Sequence, residues 1–338
     1  MMVLVMFAKR VNIPFEVFLF SDSYPSEARR EFGRRDATGW THKDGGKNGD
    51  LLINGFNLLN VFSSRMRANE LHTAYINMTA LAQCFDSDGY GYYRGYRTMP
   101  SELTLGGTPL NDSLLTMHTY LPEFKSKNNV QIVNLIYLTD GDSAGGEYVW
   151  ERRTETRKNY DGSTSERYVE IRNLERGYQW NATRSRTKTV IRDNKTKKEY
   201  VMQISSGGRF SRNDLTNTLV EILRDAHGVN VVNFYIIPKL SRYDIVDFVS
   251  DKSENKSEEI ERLHSCWRKE GHIIGENYGG WTELYLIRGG KNLDVKETNL
   301  DVNTGAKKGE IKRAFAKMNK NKLKNRLLLS KFVDMVAA

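Results

Sequence analysis

Residues 130–142 read VQIVNLIYLTDGD, and this stretch decides the fold. Val130 to Thr139 is mostly apolar and β-prone, as a strand covered on both faces must be. It runs directly into Asp140-Gly141-Asp142. A strand that empties into an acidic, Gly-containing loop suits an open parallel sheet, where ligands bind beyond the carboxyl ends of strands. Three further runs share this character: Phe15–Phe20 (FEVFLF), Val229–Ile237 (VNVVNFYII) and Thr282–Ile287 (TELYLI).

Helical patterns fill the spaces between these runs. Residues 2–10 (MVLVMFAKR) are apolar and end basic, like the last turns of a helix. Leu51–Met66 and Glu70–Phe85 both read as helices, and in the second Leu71, Ala74, Tyr75, Met78, Leu81, Ala82 and Phe85 share one face. Pro109–Phe124 reads as a helix with proline in its first turn. Ser211–His227 follows, with Ser211 as the expected N-cap, Asp214 three residues on in a loose capping box, and Gly228 as the stop. Ser253–Lys269 is a charged helix.

Residues 147–208 are different in composition. Arg, Lys and Thr dominate, and Thr187–Ile204 has the form of a hairpin turning around Asn194-Lys195. The expected fold class is therefore α/β, a doubly wound, mostly parallel sheet with a β-rich insertion and a basic C-terminal helix. The expected segments are 1–146, the insertion 147–208, the return of the main domain over 209–290, and a linker with the basic helix over 291–338.

Composition narrows the function classes. The 338 residues suffice for one large domain with insertions or two small ones. Hydrophobic residues at 39% and charged residues at 28% exclude a wholly disordered chain. No apolar run approaches the roughly 20 residues of a membrane helix. Lys9 and Arg10 follow the apolar start rather than precede it, unlike a secretory signal. Cys84 and Cys266 allow at most one disulfide, so reduced thiols and a cytoplasmic setting are expected. The net charge is +9, but residues 307–338 carry ten Lys or Arg against Glu310 and Asp334, a net of +8, which leaves +1 for the rest. The basic pI belongs to a tail and does not by itself argue for nucleic-acid binding.

Two segments carry the chemistry. Gly106-Gly107-Thr108-Pro109-Leu110 is a Gly-rich turn that puts a threonine hydroxyl at a helix N-terminus. Leu138-Thr139-Asp140-Gly141-Asp142 ends the strongest strand. One helix connects them, so both reach the same sheet edge. A hydroxyl and carboxylates converging there suit a hard cation such as Mg²⁺. The simpler reading of each is turn chemistry: glycine for positive φ, Thr108 as an N-cap, Asp140 closing a strand.

These motifs resemble the von Willebrand factor A domain family. Its members build a metal-ion-dependent adhesion site from three loops, with a threonine in a GGT-hydrophobic turn and an aspartate in a strand ending T/S-D-G. Thr108 and Asp140 match those positions. The resemblance spans roughly 1–145 and 209–290 and is nearest the cobaltochelatase T-subunit type and its relatives in large tailed phages. It implies a Rossmann-like fold and a protein-binding role through Mg²⁺ held by Thr108, Asp140 and Asp142. It also implies partnership with a MoxR-type AAA+ ATPase. The family's first loop, D-x-S-x-S, has no counterpart in the expected place, because Met1–Arg10 and Phe15–Phe20 match the first helix and second strand. The resemblance then implies a misassigned start, a first strand supplied by another polypeptide, or a scaffold that has lost its metal. Thr108 and Asp140 alone are too few ligands for tight Mg²⁺ binding. A literal D-x-S-x-S at Asp161–Ser165 follows no buried strand and reads as a hairpin turn.

Other features carry weaker expectations. Gly89–Arg97 (GYGYYRGYR) precedes the GGTPL turn, and Tyr92, Tyr93 and Arg94 are expected to face a partner. The basic tail suggests a docked helix with a solvated face, or a nucleic-acid or virion contact. His264, Cys266 and His272 lack a fourth ligand at zinc spacing. His118 reads as packed or exposed, not catalytic. No nucleophile with a base, P-loop or dinucleotide fingerprint is present, so an enzyme, such as a metal-dependent hydrolase or a cobaltochelatase-like subunit, is the second expectation.

Overall fold

Three of the apolar runs assemble one sheet. The computed structural model describes residues 2–21, 50–53, 57–85, 103, 108–140, 147–148, 151–171, 189–202, 214–249, 255–276, 278–289 and 331. Strand β4 (Asn134–Thr139) pairs in parallel with β10 (Asn230–Ile237), and β10 pairs in parallel with β12 (Glu283–Arg288). A short strand, β11 (His272–Glu276), adds antiparallel to β12 and completes the order β11-β12-β10-β4. The protein is thus mixed α/β with a mostly parallel central sheet.

Side chains alternate across this sheet as the pleat requires. Tyr137, Val231, Tyr235, Ile237, Leu284 and Leu286 join the main core. The intervening Val232, Phe234, Tyr285 and Ile287 form a second buried cluster on the other face, with Phe234 and Tyr285 stacked at 4.7 Å. The main core is closed by α3 (Leu110–Asn128), α4 (Asp214–His227), α5 (Arg242–Phe248) and α6 (Lys256–Glu270). Leu114, Leu223, Ile245 and Trp267 are each buried from these helices. Burying such a side chain contributes roughly 1.5–3 kcal/mol. Gly228 ends α4 at φ 57°, as its position after His227 predicts.

A second layer stands beside β4. Helix α1 (Met2–Arg10) leads into β1 (Glu16–Ser21), which pairs antiparallel with β3 (Asn57–Ser63). Helix α2 (Ala68–Phe85) covers β3, where Phe62 is fully buried with its ring 5.0 Å from that of Tyr75. Lys9 Nζ donates to the carbonyls of Ser64 and Met66, tying the end of α1 to the turn after β3.

The helix expected over Leu51–Met66 is replaced by two strands, β2 (Leu51–Leu52) and β3. Leu58, Leu59, Val61 and Phe62 have a spacing that also fits a helix face. Asn57 and Asn60 are poor helix formers, and the ladder with β1 decides the matter. Glu16 reinforces it by accepting from Asn60 Nδ2 at 2.7 Å and Ser63 Oγ at 2.8 Å. β1 is half-buried along its whole length rather than covered on both faces.

In the stretch read as an insertion, β5 (Glu147–Tyr148) pairs with β2, β6 (Glu151–Lys158) with β7 (Thr164–Ile171), and β8 (Thr189–Arg192) with β9 (Glu199–Met202). The β8–β9 hairpin docks on the main core through Tyr200, which is buried. Of the basic tail, only Lys331 is described. It is helical and pairs with Glu283 at 2.5 Å. No helix among the described residues is long and apolar enough to cross a membrane.

Candidate functional site

Helix α3 carries one side of the site. Its N-cap residue is Pro109, with φ −75° and ψ 59°, and no side chain caps the helix. The simple N-cap role for Thr108 is therefore not the one it plays. Thr108 is half-buried just ahead of the helix, and its carbonyl accepts from Leu110 N at 2.7 Å.

The first turn of α3 is polar yet buried: Asn111, Asp112 and Ser113 are between 1% and 5% exposed. Burial at a strand end demands partners. Ser113 Oγ lies 3.1 Å from the Tyr137 hydroxyl on β4, and Asn111 Oδ1 accepts from Thr216 Oγ1 of α4 at 2.6 Å. Burial pushes the Tyr137 hydroxyl far above its ordinary titration range, with the Ser113 contact partly opposing. At the last residue of β4, the buried Thr139 hydroxyl donates to Asn233 Oδ1 of β10 at 3.3 Å. These bonds tie α3 to β4 and to α4, and β4 to β10.

Asp140 follows Thr139 and is exposed. Thr108 and Asp140 line the same cavity of about 550 Å³, together with Ser113 and Thr139. Thr108 and Asp140, the residues that GGTPL and TDGD single out, thus both border this one cavity. Among the described residues, the charged ones lining the cavity are Glu16 and Asp140, both acidic. Such a lining attracts a cation or a basic group. Thr108 and Asp140 offer two hard oxygen donors, the type Mg²⁺ takes but by themselves too few to hold it tightly. Among the described residues, no group of three or more His, Cys, Asp or Glu is placed to hold a metal ion.

Asp142, Tyr92, Tyr93 and Arg94 lie outside the described residues. The Asp161–Ser165 motif is a tight hairpin connection between β6 and β7: Asp161 Oδ1 accepts from the backbone N and the Oγ of Ser163, which lowers the pKa of its carboxyl. Its ligand-like residues are consumed by the turn. Cys266 donates to the carbonyl of His272 at 3.4 Å, and burial raises the pKa of its thiol.

The sequence reading missed the buried polar turn Asn111-Asp112-Ser113. Three polar residues in a row ordinarily mark a solvated helix face, but their position directly after a Gly-rich turn was the available signal. It also missed the cavity itself, because its walls come from α1, β1, β4 and α3, which lie far apart in the chain.

The chain matches no protein-family model, no curated protein and no solved structure.

Proposed function

We propose that this protein is a binding module of the von Willebrand factor A type that presents the strand-end edge of its sheet to a protein partner. The observation that carries this reading is that Thr108, just ahead of α3, and Asp140, just past β4, line one and the same cavity. Thr108, Asp140 and Asp142 would hold Mg²⁺, whose chemistry here is to bind an acidic side chain of the partner. Tyr92, Tyr93 and Arg94 would add contacts around it. The partner is a MoxR-type AAA+ ring, for which the module acts as a cytoplasmic adaptor.

The test is co-purification of such a ring with the full chain in Mg²⁺, in EDTA, and with Asp140→Ala. Recovery in Mg²⁺ alone, lost in the other two conditions, is expected. Equal recovery with Asp140→Ala overturns the metal-bridged version.

A further inference from the structure

The central sheet ends at β11, which pairs with β12 and with no other described strand. A free strand edge is a template for pairing, and folded proteins ordinarily guard it with lysine, proline or a bulge. β6 carries Arg152, Arg153 and Lys158, and the β1–β3 ladder is bulged between Val17 and Phe18. β11 reads HIIGE over His272–Glu276, without Lys, Arg or Pro, and its register with β12 is unbroken.

The outer flank of β11 can be read from its inner one. Arg288 N donates to Gly271 O at 2.8 Å, one step before the ladder begins. By antiparallel alternation, the backbone groups of Ile273 and Gly275 then face β12, and those of His272, Ile274 and Glu276 face outward. The His272 carbonyl accepts from the Cys266 thiol at 3.4 Å and keeps a second lone pair. The side chains of His272, Ile274 and Glu276 share one face of the sheet. Ile274 is 38% exposed there, although it lies directly opposite the buried Tyr285 of β12. Glu276 is exposed and stands opposite another carboxylate, Glu283. Glu283 has Lys331 and the Tyr285 hydroxyl as partners. Glu276 has no cationic partner among the described residues. His272 Nε2, at the other end of the strand, lies 3.6 Å from Glu270 Oε2.

We infer that β11 pairs antiparallel with β11 of a second copy of this chain, about a twofold axis at Ile274. The strand is complementary to its own reverse. In that register Ile274 lies opposite Ile274 of the second copy, Ile273 opposite Gly275, and His272 opposite Glu276. The outward backbone groups of the two Ile274 residues meet, and those of His272 meet those of Glu276, so the outward N–H and C=O groups of the strand are all paired. Each Glu276 gains an imidazole across from it, in place of the carboxylate it faces on β12. Ile273 faces a glycine at the step where cross-strand side chains approach most closely. The two Ile274 side chains leave water together. A parallel pairing would instead set Glu276 beside Glu276. A ladder this short makes a small interface, so the dimer is reversible rather than obligate.

The inference rests on this sheet edge and not on the strand-end metal site, so the test is run in EDTA. Sedimentation equilibrium of the full chain should show monomer and dimer exchanging between about 10 μM and 1 mM. Ile274→Lys and Glu276→Lys should each raise the dimer dissociation constant at least about tenfold, with unchanged far-UV circular dichroism spectra. Val190→Lys, on the exposed β8–β9 hairpin, should leave it unchanged. The register is read by mixing two charge variants. His272→Glu sets carboxylate against carboxylate in its own dimer, and Glu276→Lys sets an ammonium against an imidazole. In the mixture the introduced carboxylate faces the introduced ammonium, and the second pair is the native one. The mixture should therefore dimerise at a concentration where neither variant does alone. A chain that stays monomeric at about 1 mM overturns the inference. So does a dimer whose dissociation constant is unmoved by Ile274→Lys, or a mixture that associates no better than its components.

Discussion

His227 Nε2 lies 3.1 Å from His118 Nδ1, joining the last turn of α4 to the middle of α3. The rings meet edge-on, 4.7 Å apart. Burial depresses both pKa values below the ordinary histidine range; for His227 the His118 charge adds to this, and for His118 the Asp193 carboxylate partly opposes it. The surroundings are basic on one side, since Lys125 Nζ donates to the His227 carbonyl and Lys195 disfavours a charge on either ring. Asp193, at the start of the β8–β9 turn, is 3.8 Å from His118 Nε2.

A pH dependence with a definite sign follows. The unfolded chain takes up protons near pH 6.5, while the folded pair resists them until a lower pH. Stability is therefore full above about pH 6.5 and declines as pH falls through the depressed folded values. Thermal melting between about pH 7.5 and pH 5 measures this. His118→Gln, which keeps a polar group against His227, should flatten the slope. An unchanged slope would show that the pair does not control it.

Two tyrosines whose hydroxyls are buried should respond in opposite directions to loss of that hydroxyl. Tyr75 OH is buried without a hydrogen-bond partner among the described residues, and burial pushes its pKa up to about 12. Tyr75→Phe removes a dehydrated polar atom and should raise stability by about 1 kcal/mol. Tyr137 OH is paired with Ser113, so Tyr137→Phe leaves a buried serine short of a partner and should cost about 1–2 kcal/mol. Urea unfolding of the two variants measures both signs.

The turn before β12 offers a backbone test. Gly280 sits at φ 81°, and a Cβ there would lie 2.6 Å from the Asn217 carbonyl oxygen of α4. The same turn is pinned by Arg224 Nη1 donating to the Gly280 carbonyl at 2.6 Å and by Trp281 Nε1 donating to Asn217 Oδ1 at 3.3 Å. Gly280→Ala has to move a helix backbone or the turn, and should cost about 1–3 kcal/mol. A melting temperature within error of wild type would contradict that packing.

How much of this was legible in the sequence depended on how local the signal was. β10 and β12 show in the sequence because a strand buried on both faces needs a nearly unbroken apolar run, and β4 shows through the same kind of run although Leu138 on it is exposed. β3 does not, because seven residues of mixed Leu, Asn and Val fit both periods and only its pairing with β1 selects one. β11 is five residues long and includes Gly275, where a Cβ would fall 2.5 Å from the Phe248 ring, so packing rather than propensity chose its sequence. Helix α5 carried a readable signal that was overlooked: Ser241 and Asp244 form a complete capping box. At the site, Thr108 and Asp140 announced themselves through GGTPL and TDGD. The cavity they line could not, since it exists only once distant segments pack together.

The metal reading can be separated from a coincidence of motif by comparing two aspartates. Asp140 is exposed at the end of β4 and lines the cavity with Thr108. Asp161 belongs to a D-x-S-x-S string, but its carboxylate is occupied by Ser163 in an exposed hairpin turn. With Mn²⁺ standing in for Mg²⁺, electron paramagnetic resonance of the full chain reports the free ion directly. Asp140→Ala should reduce Mn²⁺ affinity at least about tenfold, with a stability change within about 0.5 kcal/mol, as expected for an exposed side chain. Thr108→Val should weaken binding in the same direction by removing a neutral ligand. Asp161→Ala should leave Mn²⁺ binding as it is. The reverse order, with Asp161→Ala costly and Asp140→Ala silent, would move the metal loop to the β6–β7 hairpin and remove the strand-end site from the account.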